Sequence, residues 1–314
     1  MARMSYGAAA CAALDRAMAA DTRVVVLGED VGRGGIFGQY RGLQPKYGGA
    51  RVIDTPISES TIMGAAVGMA LAGLKPVVEM RVVDFALCAM DEIVNQAAKA
   101  RYMFGGQGRV PLVARMPIGI WTGSAAQHSQ SLEAWFAHVP GLVVVAPGSA
   151  QDNHSLLAAA IGSGDPVIYM EHKELWGLEG EVAEGEVVEL GKARIVQAGS
   201  DVTLLTWSRT LQAATEAVKQ AADLSVELID LRTIWPWDRE TVLASAAKTK
   251  RLVVAHEAVR AAGFGAEIAA TAAEELGIPV RRVGGPRIPV GYSRPLEDEA
   301  RFGASAILKA LSDF

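Results

Sequence analysis

Two residues of this chain have the type and setting to move protons. Glu59 closes the run Arg51-Val-Ile-Asp-Thr-Pro-Ile-Ser58-Glu59, and His128 sits in Ala125-Ala-Gln-His128-Ser-Gln130. A carboxylate after a short apolar strand, at the head of an apolar helix, has two readings. It compensates the helix dipole in the first turn, or it is a catalytic acid at a strand-to-helix crossing, where open α/β sheets place ligands. His128 lies among small and polar residues that let a backbone approach a ligand closely. It is either a ligand-side histidine or a loop histidine bonded to backbone. A Ser-His-Asp hydrolase has little support, because no G-x-S-x-G elbow occurs. His138, His154, His172 and His256 read as structural or surface residues. Phe85, after Val82-Val83-Asp84, reads as plain core, as an aromatic on an apolar helix usually does.

Elements that position these residues are legible around them. Val52 and Ile53 carry β-branched strand character. Pro56 fixes a turn, and Ser58 is the expected N-cap of a helix through Thr61-Ile-Met-Gly-Ala-Ala-Val-Gly-Met-Ala-Leu-Ala72, apolar enough to be buried. Gly64-x-x-x-Gly68 reads as close helix packing. Short apolar runs at 23–27, 76–80, 110–114, 142–146 and 167–171 are expected strands buried on both faces. Helices are expected at 6–20 and 152–161. One long helix is expected from Asp84 to Phe104, closed by Gly105-Gly106. Residues 173–191 read as a solvated linker with some edge strand. A second series follows, with strands at 202–207, 226–231, 252–256 and 280–283. Its helices fall near 211–222, 239–247, 265–276 and 299–312. Strands alternating with helices imply parallel sheets covered on both faces.

The totals set bounds. A chain of 314 residues, half of them hydrophobic, allows two globular domains. A net charge of −5 argues against nucleic acid or an anionic membrane as the main partner. Cys11 and Cys88 are too few for a disulfide framework or zinc cluster, and both read as small apolar packers in buried helices. The N-terminus lacks a charged-then-apolar signal. No apolar run reaches the ~20 residues of a membrane span. A cytoplasmic chain is therefore expected. Gly28-Glu-Asp-Val-Gly32-Arg-Gly-Gly35 is neither a P-loop nor a dinucleotide fingerprint. No Asp/Asn cluster has the pattern expected for holding a divalent ion against a diphosphate.

Several segments, in order over nearly the whole chain, carry a resemblance. They are Gly28-Glu-Asp-Val-Gly32, Arg51 to Glu59, Gly64-Ala-Ala-Val-Gly68, Asn95-Gln-Ala-Ala-Lys99 with Arg101-Tyr-Met103, and Ala126-Gln-His-Ser-Gln130. Pro140-Gly-Leu-Val-Val-Val-Ala-Pro147, Asp165-Pro-Val-Ile168 and Asp230-Leu-Arg-Thr-Ile-Trp-Pro-Trp-Asp238 complete the set. The chain resembles the β subunit of the first (E1) component of thiamine-diphosphate-dependent 2-oxo-acid dehydrogenases, the pyruvate, branched-chain and acetoin family.

The resemblance implies an α/β fold of two parallel-sheet domains. A transketolase-like pyrimidine-binding domain at 1–185 would precede a transketolase C-terminal domain at 186–314. It places Glu59 on N1′ of the cofactor's aminopyrimidine, Phe85 against that ring, Ile57 beside it and His128 on the substrate side. Cys88 would belong to the pocket wall. A potassium ion would be held at Leu112, Ala160, Ile161, Ser163 and Asp165, where Ser163 departs from the acidic residue often present. The resemblance assigns the diphosphate and Mg²⁺ to a separate α subunit in an α₂β₂ heterotetramer, and acyl transfer to the lipoyl domain of an E2 acyltransferase. Pyruvate leads as substrate, with branched-chain 2-oxo acids and acetoin open. Two other readings are a transketolase-type C-terminal half acting on a sugar or aldehyde, and a non-catalytic subunit docking the acyltransferase core.

Overall fold

The computed structural model describes all residues, Met1–Phe314. Fourteen strands follow in chain order. They are β1 (Ala2–Ser5), β2 (Val24–Gly28), β3 (Val52–Asp54), β4 (Lys75–Glu79), β5 (Val113–Arg115), β6 (Val143–Val145) and β7 (Val167–Tyr169). Then come β8 (Glu179–Val182), β9 (Arg194–Gln197), β10 (Val202–Thr206), β11 (Val226–Asp230), β12 (Thr233–Trp235), β13 (Leu252–Val259) and β14 (Val280–Gly285). The first sheet has the order β12-β6-β7-β5-β4-β2-β3 and the second β14-β13-β10-β11-β9. Both are parallel except at one edge: β12 runs antiparallel to β6, and β9 antiparallel to β11. Every residue of β2, β5, β7, β10 and β11 is buried, as continuous Val/Ile/Leu runs in two-face-covered sheets require.

Helices Tyr6–Ala20 and Ala150–Gly162 cover one face of the first sheet, through a core that includes Leu14, Met18, Leu156 and Ile161. Helices Thr210–Gln220 and Ala304–Ser312 cover the outer face of the second. Between the sheets lies one continuous apolar core of 40 buried residues, running from Leu27, Met63 and Ile93 through Trp207, Ile229 and Trp237 to Ile268. The two halves are therefore fused by shared burial.

Several expectations change. Residues 84–104 do not form one α-helix. A 3₁₀ turn at Val83–Ala89 leads through a π-helical stretch at Glu92–Ala97 into an α-helix at Ala98–Met103. The reason is visible in its buried positions: Val83, Ala86 and Ala89 recur every three residues, and i,i+3 residues eclipse in a 3₁₀ helix. Cys88 is consequently exposed rather than packed, and Cys11 is only half-buried. The helix Glu59–Leu71 starts where expected, but the Ser58 side chain does not cap it and instead donates to the Pro56 carbonyl. Its Gly64, Ala65, Gly68 and Leu71 face is exposed, and nothing in this chain packs on Gly68. Within residues 173–191 the expected edge strand is β8, which pairs with β1, but Lys173 is buried rather than solvated. The helix expected at 299–312 is two, Arg294–Glu299 and Ala304–Ser312.

At the C-terminal end of the first sheet's centre lies an ion pair with both side chains wholly buried. Arg115 donates in parallel from Nε and an Nη to the two oxygens of Glu171, at 2.8 and 2.7 Å. The Tyr40 ring lies 4.8 Å under the guanidinium, and Asn153 donates to Glu171 at 3.0 Å. Removing one partner of such a pair strands a charge in low dielectric, whereas removing both does not. Arg115→Leu is therefore expected to lower unfolding free energy by about 3–5 kcal/mol. The double variant Arg115→Leu/Glu171→Leu should lose less than the sum of the singles, as read from denaturant midpoints.

Candidate active site

Parallel strands deliver their following residues to one edge of a sheet, and here they converge on one cavity. Glu29 follows β2, Ile57 and Glu59 follow β3, and Arg81, Val82 and Phe85 follow β4. Trp121, Ser124 and His128 arrive from the loop after β5, and Lys173 from beyond β7. Together with Ile36 and Phe37 these residues line a cavity of ≈ 420 Å³. Its wall is largely apolar, with a few convergent polar groups, the usual make-up of a small-molecule site.

Glu59 is half-buried at the helix start, and its carboxylate accepts no hydrogen bond from this chain. It faces a cavity with Ile57, Val82 and Phe85 on the wall, so its acceptor capacity is open to a ligand. Nearby Glu29 is raised above the usual carboxylate range, chiefly by burial, with Glu59 and Asp30 adding to the rise and Arg81 opposing it. Arg81 bonds Asp30 at 2.6 Å. It holds a left-handed backbone, φ 62°, while its own N–H donates to buried Glu79 at 2.9 Å. Phe85 meets the His128 ring edge-on, with centroids 5.1 Å apart at 82°. Ile57 is 77% exposed at the rim, an apolar side chain left without cover inside this chain.

The expected residues divide into three groups. Ile57, Glu59, Phe85 and His128 meet in the cavity. Cys88 does not line it: one 3₁₀ turn beyond Phe85 on the same ridge, it points to the surface. Leu112, Ala160, Ile161, Ser163 and Asp165 gather at the opposite, N-terminal edge of β5 and β7. There the Leu112 carbonyl accepts from Val167 N–H at 2.9 Å, and the Ala160 carbonyl from Ser163 N–H at 3.1 Å. Each carbonyl keeps a second lone pair. The Asp165 carboxylate is engaged by Arg101 at 2.5 Å.

Sequence reasoning missed Glu29, Phe37, Arg81, Trp121 and Lys173. Lys173 had a usable signal: in Glu171-His-Lys-Glu174 it follows directly on a buried strand, at the sheet edge where sites form. Arg81 had none, because its placement depends on the buried partner of its N–H. Lys173 is buried, and its ammonium donates to the His128 carbonyl. Burial pushes it down to about 8, against the pull of Asp84 and Glu257.

This fold and edge-of-sheet cavity define a transketolase-type chain, and comparison with known families agrees. Residues 2–177 match the family described as transketolase, pyrimidine binding domain, and residues 191–307 match transketolase, C-terminal domain. The solved "split gene transketolase, inactive beta4 tetramer" superposes with a TM-score of 0.83 over 98% of this chain and 97% of that one, at 22% identity. Sequence relatives are more specific. The pyruvate dehydrogenase E1 component subunit beta-1 of Arabidopsis thaliana is 44% identical, over 91% of this chain and 82% of its own length. The acetoin:2,6-dichlorophenolindophenol oxidoreductase subunit beta of Cupriavidus necator is 42% identical, over 91% and 90%. The chain belongs to the family of 2-oxo-acid dehydrogenase E1 component β subunits. No helix in it is long and apolar enough to cross a membrane.

The depressed Lys173 has a signed consequence. Between about pH 8 and the ordinary lysine value of ~10.4, the folded chain holds fewer protons than the unfolded one, so stability rises with pH across that window. Below it both states are protonated and the burial penalty is complete. Lys173→Met has no such proton to lose. The parent should therefore gain on Lys173→Met between about pH 7 and about pH 10, by at most roughly 3 kcal/mol, as read from paired denaturation curves.

Proposed function

We propose that this chain, together with an α subunit, decarboxylates a 2-oxo acid on thiamine diphosphate and passes the acyl group to the lipoyl domain of an E2 acyltransferase. The observation that carries this is the Glu59 carboxylate, unpaired within the chain and facing a cavity walled by Ile57, Val82 and Phe85 beside His128. Such a carboxylate suits the protonatable ring nitrogen of an aminopyrimidine, whose flat apolar faces suit Phe85 and Ile57. The cofactor, when bound, would supply a carbon nucleophile for the 2-oxo group and a sink for the electron pair released on decarboxylation. Glu59 holds or releases a proton at the pyrimidine nitrogen and so sets the tautomer of the adjacent amino group. Phe85 and Ile57 orient the ring and keep water from it. His128, its backbone tethered by Lys173, presents its imidazole to oxygen atoms that gain charge during the reaction.

Diphosphate and Mg²⁺ belong, in this reading, to the α subunit, which closes the open side of the cavity. Pyruvate is the leading substrate, with branched-chain 2-oxo acids and acetoin as alternatives. We place the domain division between 185 and 186. A potassium ion at Leu112, Ala160, Ile161, Ser163 and Asp165 would brace the far sheet edge through carbonyl oxygens. The assembly is α₂β₂. It is supported by apolar surface left bare here: Tyr102, Met103 and Phe104 are 87%, 73% and 53% exposed, and the Gly64–Gly68 face is uncovered too.

Glu59→Gln keeps shape and helix start but cannot exchange the proton. With saturating thiamine diphosphate and Mg²⁺, the αβ assembly should form and bind cofactor with a loss of only about 1.5–3 kcal/mol. Hydrogen–deuterium exchange at C2 of the bound cofactor should slow by orders of magnitude, and exchange at the parental rate would sink the role given to Glu59. Light scattering should show the mixed subunits as α₂β₂. A β chain that stays a well-behaved monomer in the presence of its partner would overturn that assembly.

A further inference from the structure

The loop that carries Trp121, Ser124 and His128 belongs to the first half of the chain, yet its front end is held by the second half. Ile120 N–H donates to Glu257 Oε1 at 2.8 Å, and Gly123 N–H donates to Glu297 Oε1 at 2.8 Å. Glu257 stands in β13, and Glu297 in the short helix Arg294–Glu299. Both are acceptors for peptide groups on either side of Trp121, which lines the cavity.

Neither carboxylate is an incidental surface contact. Glu297 is 0% exposed, and its second oxygen has no hydrogen-bond partner in the chain, so Gly123 N–H is the one donor to its carboxylate. Glu257 also bonds His172 Nε2 at 2.8 Å. Burial by itself would raise Glu257, but His172, the Ile120 N–H and Arg209 hold it down at about 2, so it is ionised throughout the neutral range. Charged acceptors bind peptide N–H groups more strongly than neutral ones. His172 in turn packs where Gly119 passes, at φ 91°. A Cβ on Gly119 would lie 1.9 Å from His172 Nε2, so only glycine lets the loop begin there. The next two residues complete the attachment. Lys173 holds the rear of the loop at the His128 carbonyl. Glu174 bonds Arg209 at 2.9 Å and Arg301 at 2.5 Å in the second half.

We infer that Glu257 and Glu297 are positioning residues: from the C-terminal half they strap the 119–128 loop into the conformation that presents Trp121 and His128 to the cavity. Neither lines that cavity. This deepens the proposed function and rests on it only for the catalytic consequence, through His128.

The test uses the complete αβ assembly with thiamine diphosphate and Mg²⁺. Glu297→Ala and Glu257→Ala should speed amide hydrogen exchange in peptides covering 119–130 by roughly tenfold or more, with β10 and β11 peptides unchanged. Glu297→Gln keeps an oxygen acceptor for Gly123 N–H and should recover most of the protection. It also covers the case in which an alanine variant fails to fold. With the loop loosened, kcat should fall further than KM rises. Exchange in 119–130 that stays at the parental rate in the folded Glu297→Ala assembly would overturn the strap. If Glu297→Ala fails to fold, a folded Glu257→Ala at the parental rate would do the same. Faster exchange with an unchanged kcat would uphold the strap and overturn instead the role given to His128.

Discussion

The structure depends most on the burial of Arg115 and Glu171 at adjacent strand ends. Both side chains are fully withdrawn from water, and each is the other's counter-charge. A pair of this kind is weak evidence for net stability, because desolvation offsets most of the Coulomb gain. Its effect is on arrangement. The ring of Tyr40 stacks under Arg115, and the Tyr40 hydroxyl donates to Glu79 at 2.7 Å. Glu79, raised by burial and restrained by Arg115 and Tyr40, takes the Arg81 N–H. The Arg115–Glu171 and Tyr40–Glu79 contacts form only if the strand ends β4, β5 and β7 hold their present register. Those are the ends from which Arg81, Phe85, His128 and Lys173 depart.

Around that buried network the cavity is built from short departures of the backbone. Arg81 and Ala125 take left-handed conformations at φ 62° and 55°, each costly for a residue with a side chain. The 3₁₀ turn at Val83–Ala89 sends Phe85 into the cavity while burying Val83, Ala86 and Ala89 on its other side. Glu59 comes from a helix whose inner face, Ile62, Met63, Ala66 and Val67, belongs to the core between the sheets. Its outer face, by contrast, is uncovered. A site half-walled by this chain and opening on bare apolar residues is the form expected of one completed by another subunit.

Much of this was readable in the residues alone. Buried strands announce themselves as runs such as Val24-Val-Val-Leu27 and Val202-Thr-Leu-Leu205, since a strand covered on both faces needs apolar residues at every position. Strand–helix alternation then fixes a parallel sheet, and a parallel sheet fixes the edge on which ligands bind. Glu59, at the head of an uncharged helix, and His128, in a loop of small residues, followed from local pattern and from the family resemblance. Ile57 and Phe85 came from the resemblance, and the cavity contains both.

Tertiary structure decided what local pattern does not encode. The antiparallel edges β9 and β12 have little apolar alternation; each pairs with a neighbouring strand that offered unpaired backbone groups. The outward turn of Cys88 depends on a helical pitch set by packing at Val83, Ala86 and Ala89, and the apolar composition of 84–104 suits an α-helix equally well. Lys173 has a signal in its place just after a buried strand, but only the fold brings its ammonium to the His128 carbonyl. The attachment of the 119–128 loop to Glu257 and Glu297 joins residues 137 and 174 positions apart. No spacing rule reaches that far, because such a contact is made where the two sheets pack together.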